Sequence, residues 1–348
     1  MKLSLLKWSF LLFLLFSLNA CQDEGQDQNL PDVSSIEVDL KVKRFEQELF
    51  DIDTNKVEQE LLRLNEQYPE FGPIFFDAVL GASDPKNAPE GPATYIRGFL
   101  TYPGIRQLYD TCNIVFEDLS DVETQLSRSL QYYNYHFPDE ETPDLTTFIS
   151  EYSIGAFIYG NNSLAIGLDF FLGSDYPYQS IDPKNPNFSQ YLTRSFNKDH
   201  IVPKAVRLLV EDKVGNTRGV SMLEQMIHNG KTLYIMDQLM PHVPDTAVFE
   251  FSAEQLEWIT QNERGIWNFF IDQDLLYSVD AQKFRKYVSY SPNSPGMPDE
   301  APGRTANWLG YMMIKQFMLR NPNTSFLDLI ALDDAQQILE RSKYKPPL

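Results

Sequence analysis

Between positions 56 and 137 apolar residues recur at spacings of three and four in "KVEQELLRLNEQY", "PIFFDAVL", "GPATYIRGFL" and "DLSDVETQLSRSLQYYNYHFP", with proline or glycine marking the stops. That period belongs to amphipathic helices, so this part is predicted as short packed helices. The pattern changes over 146–172, where "TTFISEYS", "AFIYG" and "SLAIGLDFFLG" are rich in β-branched and aromatic residues. A small antiparallel sheet is predicted here, with "GNNS" at 160–163 as the turn of a hairpin. Helical spacing resumes in "PKAVRLLVEDKV", in 221–240, in "SAEQLEWITQNERGIWNFFIDQDLLY", where Ser252 and Gln255 form a capping-box pattern, and in two closing segments, "GRTANWLGYMMIKQFMLRNP" and "FLDLIALDDAQQILERS". The predicted class is α+β, helix-dominated, with the small antiparallel sheet packed among helices.

The two ends of the pattern differ in kind. Residues 1–20 combine Lys2 and Lys7, the apolar run "FLLFLLFSL" and "LNAC" ending at Cys21. The run is shorter than the roughly 20 residues of a spanning helix and has the parts of a secretory signal. Leu18-Asn19-Ala20-Cys21 looks like a bacterial lipobox, which predicts cleavage before Cys21, its lipidation, and a membrane held through acyl chains. Residues 21–35 carry too little apolar surface to order themselves and read as a flexible acidic stalk. Acidic residues next to such a cysteine resemble the surface-export signals of Bacteroidetes lipoproteins and point to the outer membrane. The expected organisation is therefore signal 1–20, stalk 21–35, and one globular domain 36–348, helical over 36–140 and with the sheet and remaining helices over 141–348.

Charge narrows the partners. Loss of Lys2 and Lys7 with the signal moves the net charge from −20 to −22. Such acidity repels phosphate backbones, so no nucleic-acid partner is expected. Only Cys112 remains after lipidation, among apolar neighbours, and it reads as a buried thiol. Of the four histidines, His136, His200, His228 and His242, no two stand four apart, so no metal, cofactor or catalytic constellation is implied.

The helix over 221–240 sets a histidine and a glycine into its middle. Leu223, Met226, Ile227, Gly230, Leu233, Tyr234 and Asp237 share one face, while His228 turns away beside Glu224 and Lys231, predicting a solvated Glu-His-Lys face. Asp237 on that apolar face, and Glu263 among Leu256, Ile259, Ile266, Trp267 and Phe270, are predicted buried carboxylates that need partners. Arg304, in "APGRTANW", is the expected partner of Glu263.

The lipobox followed in order by "MIHNGKTLYIMDQLMP", "EQLEWITQNERGIWNFFIDQDLLYS" and "APGRTANWLGYMMIKQFM" resembles the gliding-motility lipoprotein family GldB of Bacteroidetes. The resemblance implies a cell-envelope lipoprotein required for gliding, with other gliding and type IX secretion envelope proteins as partners, and no reaction. A fainter similarity, to zincin-like metallopeptidases, matches Gly230 and Tyr234 to their second helix. Asn229 stands where the ligand Glu would be, and "PKAVRLLVEDKV" has no HExxH. Two other readings stay open: a divergent envelope hydrolase, peptidase-like or carbohydrate-active through Asp237 and Glu263, and a binding module anchored by Trp258, Trp267 and Trp308.

Overall fold

The structure, a computed structural model, describes residues 30–217 and 219–347. Cys21, the 1–20 segment and most of the 21–35 stalk lie outside the described residues. Four strands, β1 Val42–Arg44, β2 Leu145–Phe148, β3 Ala156–Tyr159 and β4 Ser163–Gly167, form one sheet in the order β1-β2-β4-β3. The β3-β4 hairpin is antiparallel and turns at Gly160, whose φ of 59° suits glycine. The other two pairs are parallel, with Val42 opposite Leu145 and Leu145 opposite Leu164, so the sheet is mixed rather than wholly antiparallel. Parallel pairing requires a crossover, and the predicted N-terminal helices supply it between β1 and β2.

Strand β2 is buried along its whole length, so its polar side chains must be satisfied internally. Thr146 meets the Tyr159 hydroxyl at 2.7 Å and Thr147 donates to buried Glu46 at 2.7 Å. Beyond Phe148 the stretch predicted to continue as strand turns instead, with Glu151 and Tyr152 at φ of 54° and 62°. The buried Asp169 side chain fixes that turn by accepting the backbone N–H of Ser150 at 3.2 Å and of Tyr152 at 2.6 Å. Beside the sheet, Phe45 packs edge-on against Tyr68, Phe71 and Phe75 at centroid distances of 5.0, 4.9 and 4.9 Å, the favoured geometry for aromatic rings.

Helices α1 Phe45–Phe50, α2 Val57–Gln67, α3 Pro92–Thr101, α4 Pro103–Val115 and α5 Ser120–His136 dominate the N-terminal part, with the predicted "PIFFDAVL" helix wound as a π-helix over Ile74–Val79. Proline opens α3 and α4, where its missing N–H costs nothing. Cys112 on α4 is buried, and burial raises its thiol pKa. In the second half, α6 Ile201–Val214 stops at Gly215 (φ 70°), and α7 Met222–Leu239 starts from a reciprocal Ser221-Glu224 capping box. The segment read as one helix over 252–277 is two, α8 Ala253–Gln261 and α9 Glu263–Asp272. They break at Asn262, whose amide donates to the Trp258 carbonyl at 2.7 Å. Then come α10 Ala281–Val288, α11 Thr305–Arg320, α12 Phe326–Ala331 and α13 Ala335–Ser342. No helix among the described residues is long and apolar enough to cross a membrane.

Helix α7 is the hub, packed against α5, α6, α10, α11, α12 and α13. Enclosure on so many sides overturns the expected solvated Glu-His-Lys face. Lys231 is only 5% exposed, and its ammonium donates to the carbonyls of Ile330 at 3.3 Å and Leu332 at 2.5 Å, where the α12 end leaves acceptors unpaired. Glu224 is turned back into the capping box, and His228 is half-buried. The closest approach in this hub is to α11. A Cβ built on Gly230 would stand 2.3 Å from the Gly310 carbonyl carbon, and one on Gly310 would stand 1.9 Å from the Met226 carbonyl oxygen. Neither backbone can yield without moving a helix.

Two outcomes follow. Gly230→Ala and Gly310→Ala each gain about 1 kcal/mol of helix propensity yet should destabilise the protein by about 2 kcal/mol or more through overpacking, measured by urea unfolding, with Gly310→Ala the worse. Asp169 is fully buried, and burial lifts its pKa to about 6 against the hydrogen bonds that oppose it. The folded protein therefore keeps a proton that the unfolded chain releases near pH 4, and stability from this group falls as pH rises through that window. Asp169→Asn should remove a pH dependence on the order of 3 kcal/mol between pH 4 and 7, read as the difference between the stability curves of the variant and the parent.

Candidate functional site

The loop entering α8 and the loop entering α11 meet at a buried ion cluster. Glu250, in the first loop, is 5% exposed. Its carboxylate lies 2.8 Å from Lys204 Nζ, 3.4 Å from Arg304 Nη1 and 3.7 Å from Arg207 Nη2, and it accepts a hydrogen bond from the Tyr290 hydroxyl. Arg304 also donates through Nη2 to the carbonyls of Phe249 at 3.0 Å and Glu250 at 2.9 Å, and its guanidinium lies 4.6 Å from the Tyr290 ring centroid. Arg194 closes the far side, donating to the Glu250 carbonyl at 2.6 Å and to the Gln255 side chain. Burial alone would raise the Glu250 pKa; Lys204, Arg207 and Arg304 outweigh it and hold the carboxyl well below the usual range. Burial depresses Lys204, and Glu250 more than restores it, so the group stays cationic.

The backbone is bent to achieve this contact. Glu250 and Arg304 have φ of 53° and 61°, the left-handed region that side chains other than glycine rarely enter. Each such residue costs on the order of 1–3 kcal/mol and persists only where its surroundings over-determine it. Gly303 permits the turn, since a Cβ there would meet the Ser291 carbonyl oxygen at 2.2 Å.

Against this cluster opens a polar cavity of about 290 Å³ between α6, α7, the end of α10 and the start of α11. Arg207, His228, Asn229, Thr232, Tyr290 and Arg304 are among the residues that line it. Asn229 donates to Asn307 Oδ1 at 2.8 Å, and Asn307 donates to the Val288 carbonyl at 2.9 Å, so the two asparagines clamp α10 to the α7–α11 crossing. Burial and then Lys231 lower the His228 pKa, favouring the neutral imidazole at this wall.

The sequence-derived candidates divide here. His228, Asn229 and Arg304 come together at the cavity; Asp237 and Glu263 do not line it. The expected Glu263–Arg304 pair does not form: Glu263, 3% exposed, accepts from the Tyr344 hydroxyl at 2.9 Å, while Arg304 is held by Glu250. Asp237 accepts from Tyr311 at 3.1 Å and from Gln238 at 3.1 Å. Burial raises both carboxyl pKa values, against Tyr344 for Glu263 and against Lys315 and the two donors for Asp237. Of the three tryptophan anchors, Trp308 is core, packed on Phe249 and Tyr311. Among the described residues no group of three His, Cys, Asp or Glu is arranged to hold a metal. A larger open groove of about 590 Å³ along α3 has Glu90 and Glu151 as its charged lining residues. Sequence reasoning missed Glu250, Lys204 and Arg207. The available signals were two cations one helical turn apart in a chain with 29 basic against 49 acidic residues, and an acidic residue flanked by phenylalanines at 249–251.

Glu250→Gln should destabilise the protein by about 3–5 kcal/mol at pH 7, because several buried cations lose their shared counter-ion. Glu250 is depressed in the folded state, so its contribution is present above the ordinary carboxylate pKa and is lost as pH falls through the folded value. The gap between variant and parent in chemical denaturation should narrow on acidification.

No match was found among curated proteins or among solved structures. The family profile described as gliding motility protein GldB matches residues 26–346, from the stalk through the sheet, the hub helix and both loops of the ion cluster. Coverage of nearly the whole chain makes this protein a member of the GldB gliding-motility family.

Proposed function

We propose that this protein is a lipid-anchored lipoprotein of the cell envelope, held in the outer membrane through Cys21, and that it supports the assembly or stability of the gliding and type IX secretion machinery. The observation that carries the reading is the family match over residues 26–346. Three features support the finer claims. The lipobox and its acidic following residues fit export and anchoring. A net charge of −20, moving to −22 once Lys2 and Lys7 leave with the signal, discourages adhesion to anionic headgroups and leaves the acyl chains as the membrane contact. A helical body with a cation-lined recess offers a rigid receiving surface for other envelope components.

The test is a strain lacking the gene, complemented with the wild-type gene or with Cys21→Ala, scored for surface spreading and for the abundance of the other gliding and secretion proteins. The expected outcome is failure of Cys21→Ala to restore spreading, with those proteins depleted while the variant itself is present. Full rescue by Cys21→Ala would sink the anchoring claim. Loss of spreading with unchanged levels of the other components would sink the assembly claim.

A further inference from the structure

Arg207 is the anomaly of the ion cluster. Its two carboxylate neighbours, Glu211 and Glu250, each stand 3.7 Å away, beyond hydrogen-bond length. Its Nε and Nη2 atoms are shielded from water and have no hydrogen-bond partner among the described residues. A guanidinium stays charged and carries five donors in a planar fork, so buried donors left idle are costly and call for an acceptor. The remaining cations of the cluster are engaged: Lys204 by Glu250, Arg304 by Glu250 and two carbonyls, Arg194 by Gln255 and a carbonyl. Four cations thus face two carboxylates, and Arg207, ion-paired but short of hydrogen bonds, lines the cavity together with Glu211.

We infer that this cavity binds a small ligand carrying one carboxylate on an uncharged polar body, with Arg207 turning its sealed, idle edge into the cavity to grip the carboxylate. Three properties define the class. The fork of Arg207 matches a planar carboxylate, and Glu250 nearby penalises a more highly charged dianion. Thr232 and the half-buried His228 line the cavity with neutral groups for a hydroxyl or amide, and the Glu211 carboxylate on the same wall disfavours a second negative charge. A volume of about 290 Å³ lies at the lower end of ligand cavities and accommodates a monosaccharide acid or an acylated amino acid. The strained backbone at Glu250 and Arg304 belongs to the same design, since left-handed residues outside glycine cluster where a surface must be held ready. The inference does not depend on the gliding role.

The test uses the full chain purified in a nonionic detergent. D-glucuronate and N-acetyl-L-alanine are titrated beside their neutral twins, D-glucose and N-acetyl-L-alaninamide, and beside inorganic phosphate, with thermal shift and calorimetry as readouts. The expected result is a saturable rise in Tm with at least one acid, of several degrees at about a hundredfold excess over Kd, and none with its neutral twin; the acid that responds identifies a sugar or an amino-acid source. Arg207→Gln should weaken binding by about tenfold or more. Thr232→Leu, which fills the cavity without touching a charge, should weaken it as well and guards against a merely unstable Arg207 variant. The inference is overturned if neither acid exceeds its neutral twin, if phosphate does as well as the acids, or if binding is unchanged in both variants.

Discussion

Everything in the second half of the chain is arranged around the distance at which α7 and α11 cross. Two glycines, Gly230 and Gly310, let the backbones touch, and no side chain intervenes. At that separation Asn229 reaches Asn307, Asn307 reaches Val288, and Tyr311 reaches Asp237. Each contact is a short polar bond that a wider spacing would forfeit. The crossing also fixes where α11 begins, and with it where Arg304 must stand. Packing at one point therefore sets the geometry of a polar site built mainly from loops.

The ion cluster reverses the electrostatics of the molecule locally. An acidic chain gathers three arginines and a lysine around a single glutamate that is itself buried. Such a cluster is a poor source of stability, since desolvation consumes much of the Coulomb attraction. Its organising power is greater: Glu250 ties α6, the loop before α8 and the loop before α11 into one unit, and two residues are held in backbone conformations they would not choose alone. Charge and strain are mutually supporting here, because neither loop could keep its shape without the ion pairs across it.

Much of this was legible in the sequence and some was not, for physical reasons. Helical spacing, prolines and caps are local signals, and the helices of both halves follow them. Gly230 in the apolar stripe of α7 was visible as well, although the glycine that meets it lies 80 positions along the chain. Helical-wheel logic failed for Lys231 because it assumes one buried face, whereas α7 is enclosed on several sides. Strand β1 went unread because three residues carry almost no periodicity, and their partner lies about a hundred positions away. The pairing of Arg304 was misassigned for a related reason. Glu263 was the candidate on an apolar helical face, whereas the actual partner, Glu250, sits in a loop 54 residues before Arg304.

Asn229-Gly230 is also the dipeptide most prone to spontaneous deamidation, in which the glycine nitrogen attacks the asparagine carbonyl to form a cyclic imide. Within α7 that nitrogen is committed to the helical ladder and the asparagine amide to Asn307 and Val288, so the reaction is closed off. In an unfolded chain it is open. Deamidation there would leave an aspartate or isoaspartate at 229, without the donor that joins α7 to α11 beside a glycine contact that tolerates no rearrangement. The same juxtaposition that defines the hub therefore shields its own asparagine once the helix has formed.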